Sequence, residues 1–322
     1  MVLLPNIDGH IWNLETKIPE MLLEYQKTSK LVLHLNYEGP DASKSRLYDL
    51  LDNLSQKFNF DKKKITIITN NVLERHTEYK IVNLSPLYVD TGQQFASKLN
   101  IPKKTIEKHF GIFIGRSNWT RLLLSAKLYS NYKEKTIQTF HYNPSLDFHR
   151  SNLGLENLLH YTGKEHLQNA YNLLLDCPIA QEIPEYPIVT PEHFNISKIY
   201  PSFFVDIVCE TYCLGTTFYP TEKSWRPIIC MTPFMVQGPV NFLKNLKKLG
   251  FKTFSNYWDE SYDEDGFYGI KTIISNIEYL SKLSVEDLNK MYDSMKPILE
   301  NNYKTFMAIK EKSWKIFYDD KK

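Results

Sequence analysis

The chain has 322 residues, 42% of them hydrophobic and 14% aromatic, with only 12 glycines. That length suits two domains of roughly 150 residues each, and a net charge of +2 excludes polyanion binding carried by total charge alone. No apolar run approaches the roughly 18 residues that a membrane-spanning helix needs, so no membrane span is expected.

Residues 31–35, LVLHL, read as a short strand that ends in the turn NYEGPD, punctuated by Gly39 and Pro40. Leu47, Leu50, Leu51, Leu54 and Phe58 recur at helical spacing. ITIIT at 65–69 predicts a buried strand and YKIVNL at 79–84 a weaker one, with helical text at 93–99. FGIFIG at 110–115 is the next strand, 119–129 the next helix and TIQTFHY at 136–142 another strand. This alternation predicts a layered α/β domain with a largely parallel sheet.

The stretch 143–200 breaks the rhythm. It holds one helical segment at 163–175 and then Pro178, Pro184, Pro187, Pro191 and Pro201, which no single regular element accommodates. The interdomain connection is expected here. A second series follows: a strand at 202–211, a helix opened by TEKSWRPI, the apolar run ICMTPFMV, a helix at 240–250 stopped by Gly250, and a short strand FKTF at 251–254. Ser284 and Asp287 resemble a capping box, and Pro297 should kink or divide the last helices. Beyond it Leu299, Tyr303, Phe306, Ile309 and Phe317 form one apolar stripe.

The expected architecture is therefore α/β: two domains with a cleft between them, followed by C-terminal helices. The domains would span 1–160 and 161–297, and a helix at 298–322 can pack back across them. Cys177, Cys209, Cys213 and Cys230 form no paired CxxC, so a zinc site is not expected. Three of them sit in apolar text, as small buried thiols do, which suits a reducing, cytoplasmic setting. The opening MVLLPNIDGHIWNLE lacks the basic start and long apolar stretch of a signal peptide.

The chemistry concentrates in FYPTEKSWRPIICMTPFMVQGP, residues 218–239. Thr221 can cap a helix and leave Glu222 and Lys223 in its first turn. A helix N-terminus carries free N–H groups and partial positive charge, a ready place for phosphate. Lys223 adds a full charge, and Glu222 can accept hydrogen bonds from ribose or hexose hydroxyls. An acid and a base together at this place suit a sugar nucleotide.

VDIVCET followed by FYPTEKSWRPIICMTPFMVQGP resembles the donor-binding motif of α1,3-fucosyltransferases and exostosin-like glycosyltransferases. There, a strand ending in an acidic residue precedes a Thr-Glu-Lys helix and an apolar strand that ends in glycine. LGFKTFSNYWDESYD is similar to glycosyltransferase-like proteins of large DNA viruses and phages, as are NYEGPD and FGIFIGRSNWTRL more loosely. The strong similarity covers 203–263. The resemblance implies a GT-B fold of two Rossmann-like domains facing a cleft, 1–160 on the acceptor side and 161–297 on the donor side, and transfer from a nucleotide-sugar donor of UDP or GDP type to a glycan or glycoprotein hydroxyl. It implies no cofactor and no catalytic metal, and for a viral protein a host-cytoplasmic location. The fucosyltransferase strand ends in Glu-Asn where this chain has Glu210-Thr211, so the donor sugar stays open.

On this reading Glu210, Thr221, Glu222 and Lys223 bind the donor. Arg116 and Asn118, in GRSNWTR after a strand, would hold its pyrophosphate from across the cleft, although Arg116 is equally suited to pair with a surface carboxylate. Glu38, with Asp41 as its neighbour, is the candidate base that takes the acceptor proton, or else a surface-loop carboxylate. His149 is a further base candidate and His141 a candidate acceptor ligand. Asp263 and Asp265 form a literal Asp-x-Asp, but their flank is a turn, which favours a solvated loop over a metal site. Tyr257, Trp258, Asp259 and Tyr262 could line the cleft. The alternatives are a non-catalytic nucleotide- or glycan-binding module and a DNA-modifying glycosyltransferase. The second needs a basic groove, which the charge balance does not suggest, so no nucleic-acid partner is expected.

Overall fold

The computed structural model of the chain describes residues 1–4, 6–7, 11–12, 15–35, 39–84, 88–100, 103–115, 117–141, 154–180, 183, 196–213 and 215–317. Strand β1 (Val2–Leu4) opens it, followed by an antiparallel pair, β2 (Asn6–Ile7) and β3 (Ile11–Trp12). Helix α1 (Ile18–Thr28) leads to β4 (Leu31–Leu35), α2 (Leu47–Phe58) to β5 (Ile65–Thr69), and β6 (Lys80–Asn83) follows. Strands β1, β4, β5 and β6 pair in that order, all parallel. Leu31, Leu33, Leu35, Ile65 and Ile67 turn one face into a core shared with Met21, Leu47 and Leu51, as the two-residue period of a strand requires.

Helix α2 seats slightly differently from its leucine pattern. Leu47, Tyr48, Leu51 and Ser55 face inward, and Leu50 is exposed. Tyr48 turns the helix toward the sheet: its hydroxyl donates to the buried Glu74 and its ring stacks on Tyr79.

Helix α3 (Tyr88–Lys98) begins the second unit. It continues through β7 (Lys108–Ile114), α4 (Trp119–Tyr132), β8 (Thr136–Phe140), α5 (154–162), α6 (Leu167–Leu175), β9 (Phe203–Cys209), α7 (Glu222–Ile229) and β10 (Phe234–Gln237). The four strands form a parallel sheet in the order β10-β9-β7-β8. Every residue of β9 and β10 is buried, as in a parallel sheet covered on both faces, and this explains their near-continuous apolar text. Helices α8 (Phe242–Lys248), α9 (Tyr262–Asp265), α10 (Ile270–Leu280) and α11 (Val285–Ala308) complete the chain, ending in a 3₁₀ segment, Glu311–Phe317. Among the described residues no helix is long and apolar enough to cross a membrane.

The structure revises several expectations. The boundary at residue 160 runs through the second sheet, because β7 pairs with both β8 and β9; the change from one sheet to the other falls between β6 and β7. The middle stretch therefore does not join domains. Its helices α5 and α6 contribute Leu158, Ala170 and Leu173 to the core of the second sheet. The FKTF segment is not a strand: Phe251 and Phe254 are buried in that core, and the Phe254 N–H bonds to the Glu260 carboxylate in place of a neighbouring strand. Pro297 does not divide the helix, which runs from Val285 to Ala308 with the proline inside it. The proline lies on the solvent side, where a carbonyl that loses its partner can turn to water, while Tyr292, Met295, Leu299 and Phe306 anchor the opposite face.

No separate helix therefore starts at 298, yet the C-terminal segment does pack back on the first half of the chain. The Gln93 amide donates to the Phe306 and Ile309 carbonyls at 2.7 and 3.0 Å, and the Arg75 guanidinium donates to the Phe317 carbonyl.

Candidate functional site

In the second sheet the strand order reverses between β7 and β9. In open parallel sheets the crevice outside the C-terminal strand ends at such a point is where ligands bind. Two helix N-termini open there. Helix α4 is capped by Asn118, whose Oδ1 accepts from the Arg121 N–H and the Thr120 hydroxyl, both at 2.9 Å. Helix α7 is capped by Thr221, whose Oγ1 accepts from the Lys223 N–H at 3.2 Å. Arg121 ties the two together by donating to the Cys209 carbonyl at 3.2 Å, and the Thr120 hydroxyl lies 3.8 Å from the Cys213 Sγ.

Glu210, directly after β9, is buried under the start of α7. Its carboxylate accepts from the Thr221 N–H at 3.1 Å, the Thr221 hydroxyl at 2.7 Å and the Ser224 hydroxyl at 2.6 Å. These are protein donors, so the geometry gives Glu210 the role of fixing the helix start rather than that of a free acceptor for donor hydroxyls. Burial pushes its carboxyl above the usual range, against the pull of Lys223, Ser224 and Thr221. Glu222 is 4% exposed and its Oε1 accepts from the Lys223 Nζ at 2.7 Å. Burial alone would raise this carboxyl too, but Lys223 and Arg226 outweigh it and hold Glu222 below the usual range. Two carboxyls at one helix start are thus driven in opposite directions, a pattern that often marks functional sites.

The remaining sequence candidates distribute as follows. Glu38, Arg116 and His149 lie outside the described residues. Asp41 does not stand free as a base: its Oδ1 accepts from the Lys44 N–H, and its Oδ2 from the N–H and hydroxyl of Thr216. His141 follows β8; its N–H bonds to the Ile114 carbonyl, and its buried Nε2 has no hydrogen-bond partner among the described residues. Asp263 accepts from the Leu243 and Lys244 N–H groups at 2.7 and 3.0 Å and so caps α8, while Asp265 is exposed. Trp258 and Asp259 line an open groove beside α8, whereas Tyr262 is buried in the core. Among the described residues no group of three or more His, Cys, Asp or Glu side chains is gathered as a metal site.

A small recess of about 10 Å³, room for no more than a water, sits beside Glu210, walled by Thr211, Thr217, Tyr219, Thr221 and Phe242. Sequence reasoning passed over the residues that hold its outer wall. The Thr217 hydroxyl donates to the Gly39 carbonyl at 2.5 Å and the Phe218 N–H to the Asn71 Oδ1 at 3.1 Å. The Asn70-Asn71 pair right after β5 was the available signal, since polar residues at the C-terminal edge of a parallel strand often face a crevice.

Comparison with protein-family models, curated proteins and solved structures finds no match. The site therefore rests on its own geometry.

The caps make a quantitative expectation. Asn118→Ala removes two acceptor contacts at the start of α4 and should lower stability by about 1 kcal/mol, read from the urea midpoint at unchanged slope. An unchanged midpoint would show that solvent replaces the cap.

Proposed function

We propose that the chain is a glycosyltransferase of GT-B type. It would move a sugar from a nucleoside-diphosphate donor, of UDP or GDP type, to a hydroxyl of a glycan or glycoprotein. The observation that carries the reading is the α7 N-terminus. It opens at the switch point of a parallel sheet with Lys223 and Glu222 in its first turn, and a buried carboxylate fixes its start.

In this reading Lys223 and the positive pole of α7 stabilise the negative charge that grows on the departing diphosphate. Fixed donors and charges do this without the reorganisation that water would need. Glu222, held ionised beside Lys223, is an acceptor for donor hydroxyls, and Glu210 positions the helix start. The N-terminus of α4, with Asn118, faces the same crevice and supplies a second positive pole. With Asp41 engaged by Lys44 and Thr216, Glu38 is the carboxylate left for the base role.

Melting temperatures measured with UDP, GDP, CMP and ADP test the reading, because a ligand that binds only the folded state raises them by mass action. Lys223→Ala should weaken binding of the stabilising nucleoside diphosphate by about tenfold to a hundredfold and leave the free nucleoside unaffected, since the charge acts on phosphate. No response to any nucleotide would sink the proposal. Equal losses for nucleotide and nucleoside would make Lys223 a structural partner of Glu222 alone. Nucleotide binding without sugar transfer to any glycan acceptor would leave a binding module.

A further inference from the structure

The open groove beside α8 offers about 770 Å³, within the roughly 300 to 1,000 Å³ of small-molecule sites. The recess beside Glu210 holds no more than a water. One short connection borders both. Pro239 and Phe242 wall the recess, while Val240, Asn241 and Leu243, from the same passage between β10 and α8, line the groove. The groove therefore adjoins the recess in which Thr221, the cap of α7, stands.

Its two sides, α8 and residues 255–264, are tied together. The Asp263 carboxylate accepts from the Leu243 and Lys244 N–H groups, and its carbonyl accepts from the Asn241 N–H at 2.6 Å. Glu260 accepts from the Phe254 N–H and the Thr253 hydroxyl, both at 2.6 Å, and lies 3.7 Å from the Lys247 Nζ. The Asn276 amide donates to the Asp259 carbonyl at 2.7 Å. Burial raises the carboxyls of Asp263 and Glu260, and their oxygens are used within the fold. The groove is thus shaped before a ligand arrives, which lowers the ordering cost of binding.

The groups left over define the ligand. Val240, Leu243 and Trp258 give the groove apolar surface. The Asn241 amide, the Lys244 ammonium, the Ser255 and Ser261 hydroxyls and the Glu264 carboxylate also line it, and none of these five has a partner among the described residues. They comprise donors, acceptors and hydroxyls that serve as either, with one charge of each sign. An apolar compound would strip water from them and give no hydrogen bond in return. A polyanion would meet Glu264 and Asp259 along with Lys244 and Lys247. An uncharged sugar chain suits both kinds of surface: its ring C–H faces rest on apolar side chains, and its hydroxyls donate and accept.

We infer that the groove between α8 and residues 255–264 is a binding site for an uncharged glycan, the acceptor in the reaction proposed above. The acceptor role rests on that reaction; the glycan site itself does not.

The test is binding of the full chain to an array of neutral hexose and N-acetylhexosamine oligosaccharides, printed beside sialylated and sulfated ones. Neutral glycans should bind. Ser255→Trp, at an exposed position, puts a large side chain into the groove and should weaken that binding by about tenfold or more at an unchanged melting temperature. Glu264→Ala, also at an exposed position, removes one acceptor and should weaken it by about threefold to tenfold. Binding of acidic glycans alone, lost in Lys244→Ala, would overturn the uncharged ligand. Neutral binding that neither Ser255→Trp nor Glu264→Ala disturbs would place the glycan elsewhere, and no glycan binding at all would overturn the site. Ser255→Trp leaves α7 untouched, so a nucleotide response kept in this variant while transfer to the bound glycan is lost would support the acceptor role. Groove-dependent glycan binding by a protein that responds to no nucleotide would keep the site and sink the transferase reading.

Discussion

Glu210→Ala is expected to lower the unfolding free energy by about 3–5 kcal/mol. The substitution deletes the acceptor for three donors, the Thr221 N–H and the hydroxyls of Thr221 and Ser224. Thr221 is 1% exposed and Ser224 is not exposed at all, so water cannot take the vacated place. Each stranded donor carries its own desolvation cost, and the start of α7 loses its anchor to β9. Glu210→Gln should cost less, about 1–2 kcal/mol, since its amide oxygen still accepts and its NH₂ can donate to a hydroxyl that turns round. Urea unfolding of both variants checks this. A loss below about 1 kcal/mol for the alanine variant would show that α7 starts without the carboxylate.

A pH-dependent stability difference between the wild type and Asp206→Asn should be nearly as large. Asp206 lies in the middle of β9 and is 1% exposed. Its Oδ2 accepts from the Tyr200 hydroxyl at 2.6 Å, and its Oδ1 has no hydrogen-bond partner among the described residues. Burial pushes its carboxyl up to about 6, against the opposing pull of Arg226, Tyr200 and Lys104. The sign follows from proton binding. Between the ordinary value of 3.8 and about 6 the folded chain holds a proton that the unfolded chain has released, so stability falls as pH rises through this window. Below it both states are protonated and the penalty is absent; above it both are ionised and the penalty is complete. The size is about 3 kcal/mol, from roughly two pKa units at 1.36 kcal/mol each. Asparagine does not titrate. The stability of Asp206→Asn minus that of the wild type should therefore grow by about 2 kcal/mol from pH 4 to pH 6.5, and by the full amount over a window reaching past both pKa values, whatever constant offset the altered Tyr200 contact adds. Parallel curves for the two proteins would mean that Asp206 stays ionised in the fold throughout, held by Arg226.

The same acid illustrates what a sequence can and cannot say. An aspartate inside SFFVDIVCE puts a charge in apolar text, where it needs a partner. The partners, Tyr200 on the preceding turn and Arg226 on α7, come from places that spacing alone does not connect. Glu210 behaves likewise. Its position at the end of a strand, just ahead of a Thr-Glu-Lys helix, marked it as a site residue. Whether its oxygens face a ligand or the protein depended on how closely α7 sits over β9.

Local rules governed the elements. Strand alternation placed β4 and β5, continuous apolar text placed β7 and β9, and the caps at Asn118, Thr221 and Ser284 opened α4, α7 and α11 where hydroxyl and amide side chains allowed. These features depend on neighbours within a few residues, so the sequence by itself determined them. The tertiary structure alone decided that β7 and β8 join β9 and β10 rather than the first sheet, because any buried parallel strand presents the same ladder of N–H and C=O groups and strand text does not specify its neighbours. It alone brought Gly39, Asp41 and Asn71 onto residues 216–218, across 147 to 178 positions of chain. Those contacts follow from how the two sheets pack, a property of summed burial over many side chains, and no local spacing records it.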